Sequence, residues 1–334
     1  MDNSFIIAID IGGTSFRVAL VDSRMKIIAR NVEPTRAREG ASNAVGRLIE
    51  TIKKTASGIP FKKVNGIAVA TAGPIDPTHG VILSPPSLPT WRNVPLKARL
   101  QQAFPGVPVF VEHDADMAAV GEHRFGAGKG YGRLIYLTVS TGIGGGVILN
   151  GELLRGSKVS ATELGHIVID PDGPPCNCGG KGHVEAMASG TAIARMASER
   201  ISQGRQTGLL ERCGGDSSKL TAQMVTEAAR AGDNLAKEVM HEAGTNLGMA
   251  VVSLIHIFDP DVVIIGGGVS NAGELLLAPI REVIAERSMR DFRNRTRIVC
   301  SELGDNSGIL GVAAFAFGKL GIGYSLAATA TDGQ

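Results

Sequence analysis

The chain has 334 residues, too many for one compact core of ordinary size, so we expect two domains. Hydrophobic residues at 43% and charged residues at 20% exclude a disordered chain, and a net charge of +2 without blocks of like charge excludes a nucleic-acid surface. The 44 glycines predict tight turns and close approach of the backbone to ligands.

The N-terminal residues favour a first strand over a targeting segment. An acidic residue stands where a signal peptide would carry lysines, and Asp10 interrupts the apolar run. No stretch approaches the roughly 20 apolar residues that a membrane helix needs. Four cysteines without a secretory signal favour metal binding or burial over disulfides. We therefore expect a cytoplasmic protein that binds neither membranes nor nucleic acids.

The first part of the chain predicts a sheet built around a glycine turn. The apolar run 5–10 ends at Gly12 and Gly13, and the alternation that follows them predicts a second strand. Further predicted elements are a strand at 27–31, a helix at 42–57, a strand at 64–70, and a segment at 109–116 in which a strand runs into a helix at 117–123.

The pattern of strand, glycine turn and strand recurs at residues 134–149, which suggests two lobes of related topology. The region 221–258 is helical, with Asp233 as the N-cap of its second segment. The elements predicted after it are a buried strand that ends at Gly266, Gly267 and Gly268, a helix at about 272–287 and a final helix near 307–320.

The glycine turns are candidate phosphate sites. A turn such as 10–14 exposes backbone N–H groups, and the Thr14 hydroxyl and Arg17 add donors for phosphate oxygens. One such turn is equally typical of an ordinary β-hairpin, but the second turn at 140–146 and the triplet at 266–268 together favour a nucleotide site. The lysine of a P-loop is missing, and no GxGxxG turn opens a helix, so hydride transfer is excluded.

Asp114 is a candidate catalytic base. It follows a strand and precedes a helix, where backbone dipoles favour an ionised carboxylate that could accept a hydroxyl proton during phosphoryl transfer. These residues alone are equally compatible with Asp114 or Asp116 acting as a helix cap.

A metal site is predicted within residues 163–185. The candidate ligands are His166, Cys176, Cys178 and His183, separated by loop-forming Gly and Pro. Four such ligands form a closed tetrahedral site, so the expected ion is a structural zinc. Glu163 and Glu185 flank the cluster and could accept hydrogen bonds from sugar hydroxyls. Cys213 and Cys300 are expected to be free thiols.

These motifs together resemble the ROK family (repressors, open-reading-frame proteins and sugar kinases). The matching motifs are DIGGT at 10–14, E-x-G-H at 163–166, CxCGxxG at 176–182 and GGG at 266–268. The resemblance runs from Ile7 to about Gly318 and implies a two-lobed α/β fold of the actin-like ATPase (ribonuclease H-like) type with an interdomain cleft. The expected division is a smaller lobe of residues 1–115 plus about 305–322, a larger lobe of 116–304, and a loose tail at 323–334.

The resemblance also implies roles for individual residues. ATP and Mg²⁺ are the expected cofactors besides zinc, and Asp114 would accept the proton of a hexose terminal hydroxyl. The positions expected to contact the nucleotide are Asp10, Gly12, Gly13, Thr14, Arg17, Thr141, Gly142, Gly144, Gly266, Gly267 and Gly268. The positions expected to contact the hexose are Gly73, Ser87, His113, Asp114, Glu163, His166 and Glu185. A homodimer or homotetramer is expected.

Three positions depart from the usual family pattern. His113 stands where an Asn normally precedes the catalytic Asp, Ser87 replaces another sugar-binding Asn, and His183 replaces a zinc cysteine. The implied reaction is ATP-dependent phosphorylation of glucose. The alternatives are a kinase for N-acetylmannosamine, mannose, fructose or allose, or a catalytically weak sugar sensor, and polyphosphate is an alternative donor. Because the first glycine turn comes so early, we do not expect the DNA-binding domain of the family's repressors.

Overall fold

The computed structural model describes residues 4–156 and 162–324. By its internal packing the chain divides into two compact units. Unit 1 comprises Met1–Lys129, Leu153–Ala161 and Asp305–Gln334, and unit 2 comprises Gly130–Glu152 and Thr162–Gly304. The boundary expected at residue 115 falls inside unit 1, because the helix that begins at Asp114 packs against the C-terminal helix. The predicted loose tail lies outside the described residues from position 325 onward.

In chain order the strands are β1 (Phe5–Ile11), β2 (Ser15–Asp22), β3 (Ile27–Pro34), β4 (Val64–Thr71), β5 (Ile75–Asp76), β6 (Val81–Ile82), β7 (Val109–His113), β8 (Leu134–Val139), β9 (Ile143–Leu149), β10 (Glu152–Leu153), β11 (Val262–Gly266) and β12 (Arg297–Cys300). The α-helices are α1 (Ala41–Thr55), α2 (Leu96–Ala103), α3 (Asp114–Phe125), α4 (Val184–Ala188), α5 (Gly190–Ser202), α6 (Leu209–Arg212), α7 (Ala222–Arg230), α8 (Asn234–Phe258), α9 (Glu274–Arg287) and α10 (Ser307–Lys319). The strands and helices predicted from periodicity are therefore confirmed, with small shifts at their ends.

Unit 1 is a five-stranded sheet in the order β3-β2-β1-β4-β7 with helices on both faces. The strands β1, β4 and β7 are parallel, and β2 returns antiparallel to β1. Along β1, Ile7 and Ile9 enter one hydrophobic cluster with α1, while Ile6 and Ala8 enter another with α10. This arrangement explains the continuous apolar run of β1, since a strand covered on both faces has no polar side.

Two glycines set the close packing of α3 on α10. A Cβ atom on Gly311 would lie 1.7 Å from the Met117 carbonyl oxygen, and one on Gly121 would lie 2.2 Å from the Ser307 carbonyl oxygen. Neither position could hold a larger residue without separating the helices. The first turns of both helices are therefore fixed within unit 1.

Unit 2 repeats the strand arrangement of unit 1, in the order β10-β9-β8-β11-β12. Here β8, β11 and β12 are parallel, and β9 returns antiparallel to β8. The predicted similarity of the two halves is confirmed. Asp233 caps α8 as predicted, because its side chain accepts a hydrogen bond of 2.9 Å from the Ala236 N–H. Among the described residues, no helix combines the length and apolarity required to cross a bilayer.

Candidate active site

The turn between β1 and β2 is closed by a backbone hydrogen bond. The Gly12 N–H donates to the Ser15 carbonyl oxygen over 3.0 Å, and Thr14 is exposed. A Cβ atom on Gly13 would lie 2.7 Å from the Ser87 carbonyl oxygen. The structure therefore brings the expected phosphate turn directly against Ser87, a position expected to bind hexose. The sequence did not predict this contact.

Asp10 is a perturbed carboxylate at the end of β1. Its Oδ2 lies 2.8 Å from Nη1 of Arg17, and the other guanidinium nitrogen lies 3.7 Å from the carboxylate of Asp305. Burial raises the pKa of Asp10 to about 6, the negative charge of Asp114 acts in the same direction, and Arg17 opposes both. A cation near Asp10 would favour its ionised form. Sequence reasoning did not identify Asp305.

Asp114 is the first residue of α3, directly after β7. Its Oδ1 accepts a hydrogen bond of 2.7 Å from the Ala115 N–H. The N-cap position belongs to His113, so neither Asp114 nor Asp116 is the cap residue. The first turn of a helix presents backbone N–H groups that no carbonyl of the helix accepts, so the Asp114 carboxylate lies among hydrogen-bond donors. Gly73 follows β4, which pairs with β7 through Thr71 and His113, so Gly73 and Asp114 lie beyond the carboxyl ends of adjacent parallel strands.

Accessibility distinguishes Asp114 from the acidic residues beside it. The Asp114 side chain is 35% exposed, whereas Glu112 and Asp116 are buried. Glu112 pairs with Arg155 at 2.9 Å, and burial raises its pKa despite the opposing charge of Arg155. Of these three carboxylates, Asp114 alone is open enough to meet a substrate hydroxyl.

His113 is a buried imidazole between two carboxylates. Its Nε2 lies 3.4 Å from Oδ1 of Asp114, and its Nδ1 lies 3.7 Å from Oδ2 of Asp116. The Nδ1 atom is buried without a hydrogen-bond partner. The His113 ring is therefore buried beside the carboxylates of Asp114 and Asp116 and does not face solvent.

The turn between β8 and β9 is supported from α4 and α5. The Ser140 N–H donates to the Gly142 carbonyl oxygen over 2.9 Å, and the Gly190 N–H donates to the Ser140 carbonyl oxygen over 2.7 Å. Oε2 of Glu185 accepts a hydrogen bond of 2.8 Å from the Ile143 N–H. Gly144 follows within β9, paired with Thr138. Thr141 is exposed at the tip of this turn.

The glycines that end β11 differ in what surrounds them. A Cβ atom on Gly266 would lie 2.1 Å from the Tyr136 hydroxyl oxygen. Gly267 has a φ of 77°, a backbone conformation that residues with a side chain rarely adopt. A Cβ atom on Gly268 would meet nothing within 4 Å. Gly266 and Gly267 thus serve the packing on β8, and Gly268 alone borders open space.

The predicted metal ligands come together in unit 2. Ligand atoms of His166, Cys176, Cys178 and His183 all lie within 4.8 Å of one another. The Cys178 Sγ atom lies 3.2 Å from His183 Nδ1, and the Cys176 Sγ atom lies 3.8 Å from His166 Nδ1. Two thiols and two imidazoles at these spacings fit a tetrahedral zinc ion.

A buried thiol and a closely packed loop form the surroundings of this cluster. Burial raises the pKa of Cys176 to about 11, so this thiol is protonated at neutral pH unless a cation replaces its proton. A Cβ atom on Gly182 would lie 1.6 Å from the Asp170 carbonyl oxygen, which fixes the loop just before His183. Cys213 and Cys300 are free thiols outside the cluster, as expected.

The two glutamates that flank the cluster have different surroundings. Glu163 directly precedes the short helical turn Leu164–His166. Glu185 lies in the first turn of α4, where its Oε1 is 3.6 Å from the Cys176 Sγ atom. Glu185 therefore joins the metal cluster to the β8–β9 turn, a connection that the sequence did not predict.

Comparisons with known proteins agree with these features. Residues 6–319 match the family model described as the ROK family. The glucokinase of Thermotoga maritima is 38% identical over 316 residues, covering 95% of this chain and 98% of that protein. The xylose repressor of Caldicellulosiruptor bescii is 31% identical over 315 residues, covering 94% of this chain and 78% of that protein. A ROK family glucokinase from Streptomyces griseus, solved with glucose and AMPPNP, superimposes with a TM-score of 0.82 at 34% identity, covering 93% of this chain and 99% of that one.

Proposed function

Because the chain belongs to the ROK family, we propose that it is a glucokinase, which transfers the γ-phosphoryl group of ATP to the terminal hydroxyl of glucose. The similarity to glucokinases over nearly the whole chain supports the reaction. The observation that carries the mechanism is the partly exposed carboxylate of Asp114 at the start of α3. Asp114 would orient the hydroxyl and accept its proton as the oxygen attacks the γ-phosphorus.

In unit 1, the β1–β2 turn would hold nucleotide phosphates through its backbone N–H groups, assisted by the Thr14 hydroxyl. Arg17 neutralises Asp10 and presents further donors. Asp10 supplies a hard oxygen ligand suited to Mg²⁺, which in kinases balances the charge of the phosphates. Gly73, Ser87 and His113 would contact the hexose.

In unit 2, the β8–β9 turn from Thr141 to Gly144 would hold phosphates, and the triplet at 266–268 would lie near the adenosine. Glu163 and Glu185 would accept hydrogen bonds from hexose hydroxyls. His166 could bind zinc through one ring nitrogen and a hydroxyl through the other, so the metal would fix the ring for recognition. The zinc itself would be structural, since four protein ligands close its coordination. A homodimer or homotetramer stays a prediction, which light scattering would test.

The proposed reaction is tested by measuring ADP release with a panel of hexoses. We expect the highest kcat/KM with glucose, and a fall in kcat of about 10²- to 10⁴-fold in Asp114→Asn, because the amide cannot accept the proton. Glu50→Gln removes an exposed carboxylate on α1 and should leave turnover unchanged. Absence of turnover with every hexose would show that the chain is not a kinase, and hexose binding without turnover would favour a sugar sensor. Equal kcat in Asp114→Asn and wild type would exclude Asp114 as the base.

A further inference from the structure

We propose that Glu185 is a positioning residue that holds the β8–β9 turn in place, in addition to any contact with the hexose. The inference rests on the proposed function only where it assigns this turn to the nucleotide phosphates. The position of the turn itself follows from contacts within unit 2.

The two carboxylate oxygens of Glu185 have separate partners. Oε2 accepts the Ile143 N–H over 2.8 Å, and Oε1 faces the Cys176 thiol at 3.6 Å. At 2.8 Å the bond from the Ile143 N–H has the length of a well-formed N–H···O hydrogen bond, so it restrains the residue that ends the turn.

The turn also has the shape that this carboxylate requires. A Cβ atom on Gly142 would lie 2.3 Å from Glu185 Oε2 and 3.1 Å from its Cδ. A residue larger than glycine at position 142 would occupy the place of the carboxylate. The absence of a side chain at Gly142 thus lets the Glu185 carboxylate reach the backbone of the turn. This explains why position 142 is a glycine without reference to phosphate binding.

The loop that carries the candidate metal ligands also sets the position of Glu185. This loop ends at His183. His183 is the N-cap residue of α4, and its carbonyl oxygen accepts the Ala186 N–H over 3.0 Å. Glu185 lies between these two residues, in the first turn of the helix. The loop with the candidate zinc ligands therefore ends at His183, and Glu185, which supports the β8–β9 turn, follows two residues later.

This geometry separates two roles of one side chain. If Glu185 contacted only a hexose, its removal would raise KM for glucose and leave KM for ATP unchanged. If it also holds the turn, both KM values rise, and the Ile143 amide loses protection in the absence of any substrate. Glutamine distinguishes the roles, because its amide oxygen can still accept the Ile143 N–H while its charge is lost.

The test is amide hydrogen exchange of ligand-free protein, read by mass spectrometry at single-residue resolution across 140–146, together with KM for ATP and for glucose. In Glu185→Ala we expect exchange at Ile143 to become about tenfold faster and both KM values to rise. In Glu185→Gln we expect near wild-type exchange with a raised KM for glucose. Glu227→Ala removes an exposed carboxylate on α7 and should change neither quantity.

Unchanged exchange at Ile143 in a folded Glu185→Ala protein would overturn the proposal, even if KM for glucose rises. If the alanine variant fails to fold, Glu185→Asp serves instead, because its shorter side chain keeps the charge but withdraws from Ile143; unchanged exchange there would overturn the proposal equally. Wild-type protein without kinase activity would refute the proposed function, while the exchange comparison would still decide the role of Glu185.

Discussion

The two glycine turns have the same place in the topology and different supports. Each joins the first strand of a parallel set to an antiparallel return strand, β1 to β2 in unit 1 and β8 to β9 in unit 2. In unit 1 the turn packs on a backbone carbonyl, that of Ser87. In unit 2 it packs on the end of a side chain, the carboxylate of Glu185. The repeated sheet thus determines where each turn lies. Residues outside the repeat, Ser87 and Glu185, determine which substitutions each turn can accommodate.

The charged groups near the turns differ as well. In unit 1 the charges of Arg17 and Asp114 act on the pKa of Asp10, at the end of the strand before the turn. Unit 2 instead places the Cys/His cluster one side chain away from its turn. Unit 1 therefore carries charged side chains beside its turn, whereas unit 2 carries a candidate metal cluster beside its turn.

The largest expected effect is loss of the metal from unit 2. We expect about one zinc per chain by elemental analysis, and much less in His183→Ala, because three remaining ligands leave the site open. Since metal binding and local folding are coupled, the variant should lose stability by on the order of several kcal/mol in thermal unfolding. Cys300→Ser, a thiol outside the cluster, should retain the zinc. Stable wild-type protein that contains no metal would contradict this prediction.

An intermediate effect is expected from adding one methyl group to each turn. Gly13→Ala meets a backbone carbonyl at 2.7 Å, so the loop at Ser87 must shift, at a cost of about 1–3 kcal/mol. Gly142→Ala meets the end of a flexible side chain at 2.3 Å, which can rotate away at a cost of about 1 kcal/mol, because it gives up its hydrogen bond to the Ile143 N–H. Urea unfolding of the paired variants measures both costs. A larger loss in Gly142→Ala would mean that side-chain flexibility does not explain the difference between the turns.

The last effect appears only as a pH dependence, and it comes from Asp10. Because burial raises its pKa from 3.8 to about 6, the folded state holds this proton more tightly than the unfolded chain, and the contribution of Asp10 to stability falls as pH rises through that window. Asp10→Asn lacks this titration. The unfolding free energy of the variant, relative to wild type, should therefore increase by about 1–3 kcal/mol between pH 4 and pH 7. A difference that does not change with pH would show that the pKa of Asp10 is not raised.

Much of the fold was predictable because apolar periodicity and glycine turns are local signals. The run from Phe5 and the cap at Asp233 predicted their elements directly, and the recurrence at 134–149 predicted the second sheet. The boundary between the two units was harder to predict from the sequence. The packing of α3 on α10 depends on Gly121 and Gly311, which are far apart in sequence and give no local sign of their contact.

The candidate site divides in the same way. The metal ligands were predictable because they lie in one short segment, and the structure gathers them as expected. Asp305 and the support of the β8–β9 turn by Glu185 were not predictable, since each depends on residues distant in sequence. Spacing along the chain carries no information about such contacts.

The sequence by itself determined the family, the repeated arrangement of strands, and which residue types carry the chemistry. Only the tertiary structure decided that Asp114 is accessible while Glu112 and Asp116 are buried, that Ser87 closes on Gly13, and that Glu185 supports a turn. The physical reason is that side-chain identity and periodicity are local properties, whereas burial and hydrogen-bond partners are set by chain segments that meet only after folding.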